Sequence, residues 1–137
     1  MSSPPFPSSP PYTFEDMKKY VHLEINSYSM KRENTELNTH YESMPDLEKK
    51  KDIREIENLL NSNSYIVLPN RYPYWIDDGL IHKIIWVNSK YKKYVIPEKV
   101  AIEHLLQNGY KDFVLFCNSR DNKSIPSVIH YHVIYLV

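Results

Sequence analysis

Two histidines two positions apart, His130 and His132, lie in an apolar run of β-type residues from Ser124 to Val137. Because the side chains of a strand alternate between its two faces, both imidazoles point the same way and their rings stand side by side. Two imidazoles on one face can bind a metal, or one can act as a nucleophile while the other assists it. This pair is therefore the first candidate for a functional site.

Phosphoryl or nucleotidyl transfer suits such a pair, because a neutral ring nitrogen can attack phosphorus. One of the two histidines would be the nucleophile, and the other would orient it or protonate the leaving group. Asn118 would donate a hydrogen bond to the phosphate, and Arg120 and Lys123 would neutralise its charge. A nucleotide or another small phosphorylated ligand is the predicted partner, and Ser124 is also predicted to bind it. The spacing leaves open which histidine attacks, and it equally fits two rings that only pack at the end of a strand.

A divalent transition metal is the alternative ligand for the same residues. His82 lies in another predicted strand, and if the two strands adjoin, it completes a three-histidine metal cluster with His130 and His132. Asp77 and Asp78 carry oxygen ligands, but an Asp-Asp-Gly sequence is more typical of a simple turn. Such a metal is the cofactor that this second interpretation predicts.

Aromatic residues cluster around one predicted loop and the strand after it, at Tyr72, Tyr74, Trp75 and Trp86. Their rings can stack on a base, so Tyr74 and Trp75 are predicted to line the ligand site together with His82. Core packing explains Trp86 at least as well as ligand binding does.

The remaining histidines and the one cysteine carry weaker signals. His22, His40 and His104 fall on predicted helix or linker positions and are expected at the surface, His104 being partly buried. Cys117 is expected to be a small buried hydrophobe. Since the chain has 1 cysteine, an internal disulfide and a multi-cysteine metal site are excluded, which fits a reducing compartment.

The composition indicates one soluble domain. With 137 residues, of which 42% are hydrophobic, the chain can bury a core. Its 17 basic residues balance 17 acidic ones, so no overall field attracts nucleic acid or anionic lipid. No stretch approaches about eighteen consecutive apolar residues, and the N-terminus lacks a basic region followed by an apolar core. These features predict no membrane partner, no secretion and a cytoplasmic location.

The organisation along the chain predicts a tail and a domain. Residues 1–12 contain the run SSPPFPSSPP and are expected to form a flexible tail, which can dock on a proline-binding protein partner. Residues 13–137 are expected to form a single α+β domain. Its helical part covers about 13–63, and its sheet part covers about 64–137.

The predicted helices and strands follow from the spacing of the apolar residues and from residues that typically begin or end an element. Thr13 and Asp16 form a capping box before the first helix, while Pro97 and Gly109 mark the two ends of the third. The predicted helices are 14–28, 45–60 and 97–108, and the predicted strands are 65–68, 80–87, 112–117 and 130–136. The strand 80–87 is nearly continuously apolar and should be covered on both faces. We therefore expect a small, mainly antiparallel sheet with one helix packed across it. No Gly-rich phosphate loop is present, which argues against a Rossmann or P-loop site.

Four segments resemble a known family: YTFEDMKK (12–19), RYPYWIDDGLIHKIIW (71–86), VLFCN (114–118) and SIPSVIHYHV (124–133). They are similar to an uncharacterised family of fungal and giant-virus proteins whose pattern runs YTWEDLK, WPYGI, PGI, HLVVW, VLWFKN, and finally SV with HxHV. The matching positions are Pro73, Tyr74, Gly79, His82, Trp86, Asn118, Ser124, His130 and His132. The sequence departs at WPYGI, where Tyr72 replaces the Trp. This resemblance implies a fold and a candidate site but no reaction, and for a viral protein it implies the host cytoplasm or the virion.

A fainter resemblance is to the histidine-triad superfamily of nucleotide hydrolases and transferases. Their site joins an Asn on one strand, a loop, and an HxHxH or HxHxQ strand, to which Asn118, the loop 119–129 and the HYH strand are similar. One triad histidine is missing, so that either Ile134 replaces the third or Val128 replaces the first. The resemblance implies a phosphoester hydrolase or transferase, or a degenerate form that only binds. A noncatalytic interaction or virion-associated protein is the alternative.

Overall fold

The computed structural model describes residues 9–22, 54–71, 73–117 and 128–137. These residues form the α+β fold that the sequence predicted, with helices beside one four-stranded sheet. The helices are α1 (Phe14–His22), α2 (54–60) and α3 (Pro97–Asn108), and the strands are β1 (Tyr65–Pro69), β2 (Leu80–Asn88), β3 (Asp112–Phe116) and β4 (Val128–Leu136). In this part of the chain, no helix is both long and apolar enough to span a membrane.

The sheet is antiparallel throughout, with the strand order β1-β2-β4-β3. The two long strands β2 and β4 form its centre and pair along their whole lengths, from Leu80 opposite Leu136 to Asn88 opposite Val128. As predicted, β2 is covered on both faces, because its alternate residues join apolar clusters on either side of the sheet.

One face of the sheet packs against α1 and α2. Leu80 and Ile134 join a cluster with Met17 and Tyr20 of α1, and Trp86 packs against α2. The opposite face packs against α3, which is the single helix predicted to cross the sheet. There the cluster consists of Ile85, Val87, Val100, Ala101, Val133 and Tyr135.

Local signals fix the start of α1 and both ends of α3. The Thr13 N–H donates to Asp16 Oδ2 at 2.9 Å and the Asp16 N–H donates to Thr13 Oγ1 at 3.1 Å, which confirms the capping box with Asp in place of the usual Glu. Pro97 occupies the first turn of α3, and Gly109 ends that helix with a φ of 69°, the left-handed conformation that a side chain disfavours. Residues 23–28 and 45–53 of the first two predicted helices lie outside the described residues.

Tyr12 differs from its predicted place in the Pro/Ser-rich tail. Its side chain is 1% exposed and belongs to the cluster under α1. Its N–H donates to the Trp75 carbonyl at 2.7 Å, and its own carbonyl accepts from the Asp77 N–H at 2.9 Å. A buried tyrosine with both backbone groups paired is part of the packed structure, so the ordered chain includes Tyr12. Residues 1–8 of the tail lie outside the described residues.

The strand ends also differ slightly from their predicted positions. β1 continues to Pro69, which pairs with Lys83 at the edge of the sheet, where a missing N–H is tolerated. β2 and β4 both extend by the pairing of Asn88 with Val128. β3 ends at Phe116, one residue before the predicted Cys117.

Candidate functional site

Three histidines lie on the face of the sheet that packs against α1 and α2, which we call the histidine face. His82 comes from β2, and His130 and His132 come from the adjacent strand β4. The register places Ile134 opposite His82, and residues two apart share a face, so all three side chains project to the same side. The three histidines therefore share one face of two adjacent strands, while Asn118, which was predicted to converge with them, lies outside the described residues. Their side chains are 4%, 5% and 6% exposed, respectively.

A directed chain of hydrogen bonds links two of these rings. The backbone N–H of Tyr74 donates to His82 Nδ1 at 3.3 Å, and His82 Nε2 lies 2.9 Å from His132 Nδ1. A backbone N–H can only donate, so His82 Nδ1 accepts and a neutral His82 carries its proton on Nε2. That proton is donated to His132 Nδ1, and a neutral His132 therefore carries its own proton on Nε2. The Tyr74 backbone thus sets the tautomer of both rings.

The position of the Tyr74 N–H is fixed by the segment between β1 and β2. The Asn70 N–H donates to the His82 carbonyl at 3.0 Å, and the Leu80 N–H donates to the Asp77 carbonyl at 3.0 Å. Tyr12 holds the middle of the segment through its two backbone hydrogen bonds, one to Trp75 and one to Asp77. These bonds hold the segment across the histidine face. Asn70 Nδ2 also lies 3.4 Å from His82 Nδ1 and 3.3 Å from His82 Nε2.

Aromatic rings surround the two linked histidines. The His132 ring is stacked on Phe116, with centroids 5.1 Å apart and an interplanar angle of 5°, and it is parallel to the Tyr74 ring at 6.1 Å. Tyr74 also contacts the His82 ring at 4.8 Å. Face-to-face contact with electron-rich rings leaves the imidazole edges for hydrogen bonding. The two parallel rings therefore restrict the orientation of the His132 ring plane.

His130 lies beside these two linked rings. Its ring contacts Trp86 at 5.0 Å and meets the His132 ring edge-on at 5.6 Å. Its carbonyl accepts a weak hydrogen bond from Cys117 Sγ at 3.6 Å. The Nδ1 atom of His130 and the Nε2 atom of His132 are both buried. Two imidazoles with different surroundings are thus placed side by side.

The metal interpretation receives no support from the described residues. Within them, no group of three or more His, Cys, Asp or Glu side chains is arranged to hold a metal ion. The facing nitrogens of His82 and His132 are 2.9 Å apart and share a proton, whereas two metal ligands would both turn their lone pairs toward the ion. Asp77 and Asp78 lie in the turn before β2, as the Asp-Asp-Gly sequence predicted.

Comparison with known families then places the chain. The model of the family described as "Protein of unknown function (DUF3605)" matches residues 11–136. The chain belongs to this family. The predicted membership of an uncharacterised family is therefore confirmed, and the match extends over the helices and strands that carry the histidine face. The family description assigns no activity.

Two further comparisons bear on the fold. Among curated proteins, no match was found. Among solved structures, the chain is similar to one described as "Crystal Structure of HTC1", with a TM-score of 0.56 and 16% identity over 92% of this chain and 85% of that chain. At this identity the likeness shows a shared fold alone.

The other predicted site residues have different outcomes. Tyr74 is buried against His82 and His132, whereas Trp75 is half-buried and contributes its carbonyl to Tyr12. The predicted phosphate-binding residues Asn118, Arg120, Lys123 and Ser124 lie outside the described residues. Of the two positions at which a triad histidine was predicted to be missing, Ile134 is 0% exposed in the core directly opposite His82, and Val128 begins β4. The third imidazole of the histidine face comes from β2.

Three contributors to the site were missed in the sequence. Asn70 was assigned only to a turn, Phe116 only to a strand, and the Tyr74 backbone N–H carries no side-chain signal at all. Strand alternation could have placed Phe116 on one face, since β3 pairs with β4 and Phe116 lies opposite His132. No sequence signal indicates which backbone N–H reaches a ring.

His104 lies on the opposite face of the sheet and is half-buried, as its predicted partial burial indicated. Lys83 Nζ lies 2.7 Å from His104 Nε2, and the imidazole ring contacts Tyr135 at 5.4 Å. An ammonium group only donates, so His104 Nε2 accepts and the neutral ring carries its proton on Nδ1. Burial, and then the charge of Lys83, lower the pKa of His104 below its usual value of 6.5.

Acid should therefore destabilise the protein partly through His104. Below a pH of about 6.5 the unfolded chain binds a proton at this residue more readily than the folded chain, so the free energy of unfolding falls as the pH falls. His104→Gln removes the titration and keeps an oxygen that can accept from Lys83. In urea denaturation at several pH values, acid should lower the free energy of unfolding less in the variant than in the wild type. Above about pH 7, the difference in this free energy between the two proteins should not change with pH. Two parallel pH curves would contradict this assignment.

Proposed function

We propose that this domain binds a small phosphorylated ligand, a nucleotide or another phosphoester, at the histidine face, and acts on it as a histidine-dependent hydrolase or transferase. The observation that carries the proposal is the chain from the Tyr74 N–H through His82 to His132, with distances of 3.3 and 2.9 Å. A histidine that acts on a ligand needs a partner that fixes its tautomer and orientation, and His82 is such a partner for His132.

His132 is the proposed donor to the ligand. Its Nδ1 accepts from His82, so its Nε2 carries the proton and can donate to a nonbridging phosphate oxygen. It is unsuited to act as a base or nucleophile, because Nε2 has no free lone pair in this tautomer. It is equally unsuited to give its proton away, since this would leave an anionic ring.

His130 is the proposed nucleophile or general base. Its ring stands beside that of His132, with the ring centroids 5.6 Å apart. Asn118, Arg120, Lys123 and Ser124 are proposed to contact the phosphate, and Tyr74 and Trp75 to contact a base. In this assignment a nitrogen of neutral His130 forms a bond to phosphorus as the bond from phosphorus to the leaving oxygen breaks, and His132 donates to a nonbridging oxygen that gains charge. Water protonates the leaving oxygen and then hydrolyses the phosphorus–nitrogen bond.

Binding of adenosine monophosphate to the full chain tests the proposal. We expect adenosine monophosphate to raise the melting temperature of the wild type. His132→Gln should weaken its binding by about 10-fold to 100-fold, because a charge-assisted hydrogen bond contributes about 1.5–3 kcal/mol. The measurements are thermal shift and isothermal titration calorimetry. Labelling with a phosphorus-labelled nucleotide, followed by peptide mapping, checks whether an acid-labile label forms on His130.

His104→Gln is the matched control for this experiment. It also replaces a histidine by glutamine, but His104 is half-buried and lies on the opposite face of the sheet. It should bind the nucleotide as the wild type does. The proposal fails if neither adenosine monophosphate nor inorganic phosphate binds the wild type. It also fails if the His104 variant loses affinity as much as the His132 variant.

A noncatalytic interaction protein is the second candidate, and the burial of the histidines favours it. All three side chains are at most 6% exposed and lie among aromatic rings, as a polar network that only specifies the fold would. The same experiment separates the two candidates. If the protein is a noncatalytic interaction protein, His132→Gln should lower its stability, and no phosphorylated ligand should change that stability.

A further inference from the structure

The connection between β2 and α3 exposes aromatic and basic side chains together. Residues 88–96 read NSKYKKYVI, and we call them the Lys/Tyr connection. Tyr94 is 80% exposed, Ile96 is 49% exposed and Tyr91 is 44% exposed. These three large side chains are close together in the sequence and form one exposed apolar group among the lysines, whereas singly exposed apolar residues need no partner.

The backbone of the Lys/Tyr connection is tied in place. Ser89–Tyr91 form a 3₁₀ helix whose first N–H groups are capped, since Asn88 Oδ1 accepts from the Lys90 N–H at 3.0 Å. The Tyr94 N–H then donates to the Tyr91 carbonyl at 2.9 Å. The Asn88 N–H donates to the Ser64 carbonyl at 2.9 Å. Because the backbone is already ordered, binding through these rings would cost little conformational entropy.

The charge of the Lys/Tyr connection is uniformly positive. Lys90, Lys92 and Lys93 are exposed, and no acidic residue occurs from 88 to 97. In the described part of the chain, no carboxylate lies within ion-pair distance of these three lysines. The adjoining turn at 61–64 reads NSNS and is uncharged. The Lys/Tyr connection is therefore a local basic surface, although the net charge of the whole chain is +0.

We propose that the Lys/Tyr connection binds single-stranded nucleic acid. Tyr91 lies between Lys90 and Lys92 in the sequence, and Tyr94 directly follows Lys93. A tyrosine ring can therefore stack on a base while the neighbouring ammonium groups pair with the flanking phosphates. Bases are available for stacking only when they are not paired, which selects a single strand over a duplex. Every base has a π face, so recognition is tolerant of sequence. This surface lies outside the histidine face and does not depend on the function proposed for it.

Fluorescence anisotropy with a labelled oligothymidylate of about twelve nucleotides tests the proposal on the full chain. We expect binding at low salt, with a slope of log affinity against log salt of about −2 for three phosphate contacts. Tyr94→Ser should weaken binding by about 10-fold, because stacking on one base contributes about 1–3 kcal/mol. Replacement of Lys90, Lys92 and Lys93 by Gln should abolish the salt dependence.

Lys111→Gln is the matched control. Lys111 is exposed, but its N–H donates to the Leu136 carbonyl at the far end of β4, about 30 Å from the Asn88 end. This variant should bind as the wild type does. The proposal is overturned if the wild type does not bind the oligonucleotide at low salt, or if the tyrosine and lysine variants bind as tightly as the wild type. Binding to phosphatidylserine vesicles without binding to the oligonucleotide would also overturn it, in favour of an anionic membrane. Circular dichroism of each variant checks that it folds.

Discussion

Truncation of Ile134 to alanine is expected to lower the free energy of unfolding by about 2–5 kcal/mol. Ile134 is 0% exposed in the central strand β4 and packs in the cluster under α1. Removing three buried carbons loses their transfer free energy and leaves a cavity that the sheet cannot close, because its backbone is paired on both sides. Urea denaturation followed by circular dichroism measures the loss.

Ile85→Ala is the matched variant for Ile134→Ala. Ile85 is also 0% exposed and lies in the other central strand, but it faces α3. We expect a similar loss of stability, whereas only Ile134→Ala should shift the side-chain nuclear magnetic resonance signals of His82, which lies directly opposite Ile134 in the register. Equal shifts of the His82 signals in both variants would contradict the separation of the two faces.

Replacement of His82 or His132 by phenylalanine is expected to destabilise the protein by about 1–3 kcal/mol in each case. His132→Phe removes the acceptor of the buried His82 Nε2–H. His82→Phe removes the acceptor of the Tyr74 N–H and the donor to His132 Nδ1. In the double variant the two facing positions are both apolar. Its loss should therefore be smaller than the sum of the two single losses.

A double-mutant cycle measured by urea denaturation tests this coupling. The matched pair is His82→Phe with His104→Gln, whose sites lie on opposite faces of the sheet and should be additive. Additive losses for His82 and His132 would mean that the contact between the two rings does not stabilise the fold. A clear coupling would support the tautomer assignment on which the proposed role of His132 depends.

The stability and ligand experiments address separate properties of the same rings. A coupled pair that binds no phosphorylated ligand fits the noncatalytic candidate, in which the hydrogen-bond chain orders the core. A coupled pair whose His132→Gln variant also loses adenosine monophosphate fits the hydrolase or transferase. The His104 control distinguishes both results from a general response to histidine replacement, since His104 bonds to Lys83 on the other side of the sheet.

Short-range features of this fold could be read directly from the sequence. The capping box of Thr13 and Asp16, the ends of α3 at Pro97 and Gly109, and the shared face of His130 and His132 all depend on residues a few positions apart. Caps and strand alternation are set by backbone geometry over that distance, so their signals survive in the sequence. Membership of an uncharacterised family was also predicted from four short segments of the sequence, and the family match confirms it.

The tertiary structure decided which of these features meet. The hydrogen bond between His82 and His132 exists because β2 and β4 are neighbours in a particular register, and a shift by one residue would turn His82 to the other face. The approach of the Tyr74 N–H to His82, and the burial of Tyr12, depend on a segment held across the sheet by backbone bonds. Strand order and loop placement follow from the packing of the whole core, and no local spacing specifies them. Local spacing therefore specifies the elements and the shared face of His130 and His132, whereas the packed fold brings a third histidine and a backbone N–H into position to orient His132.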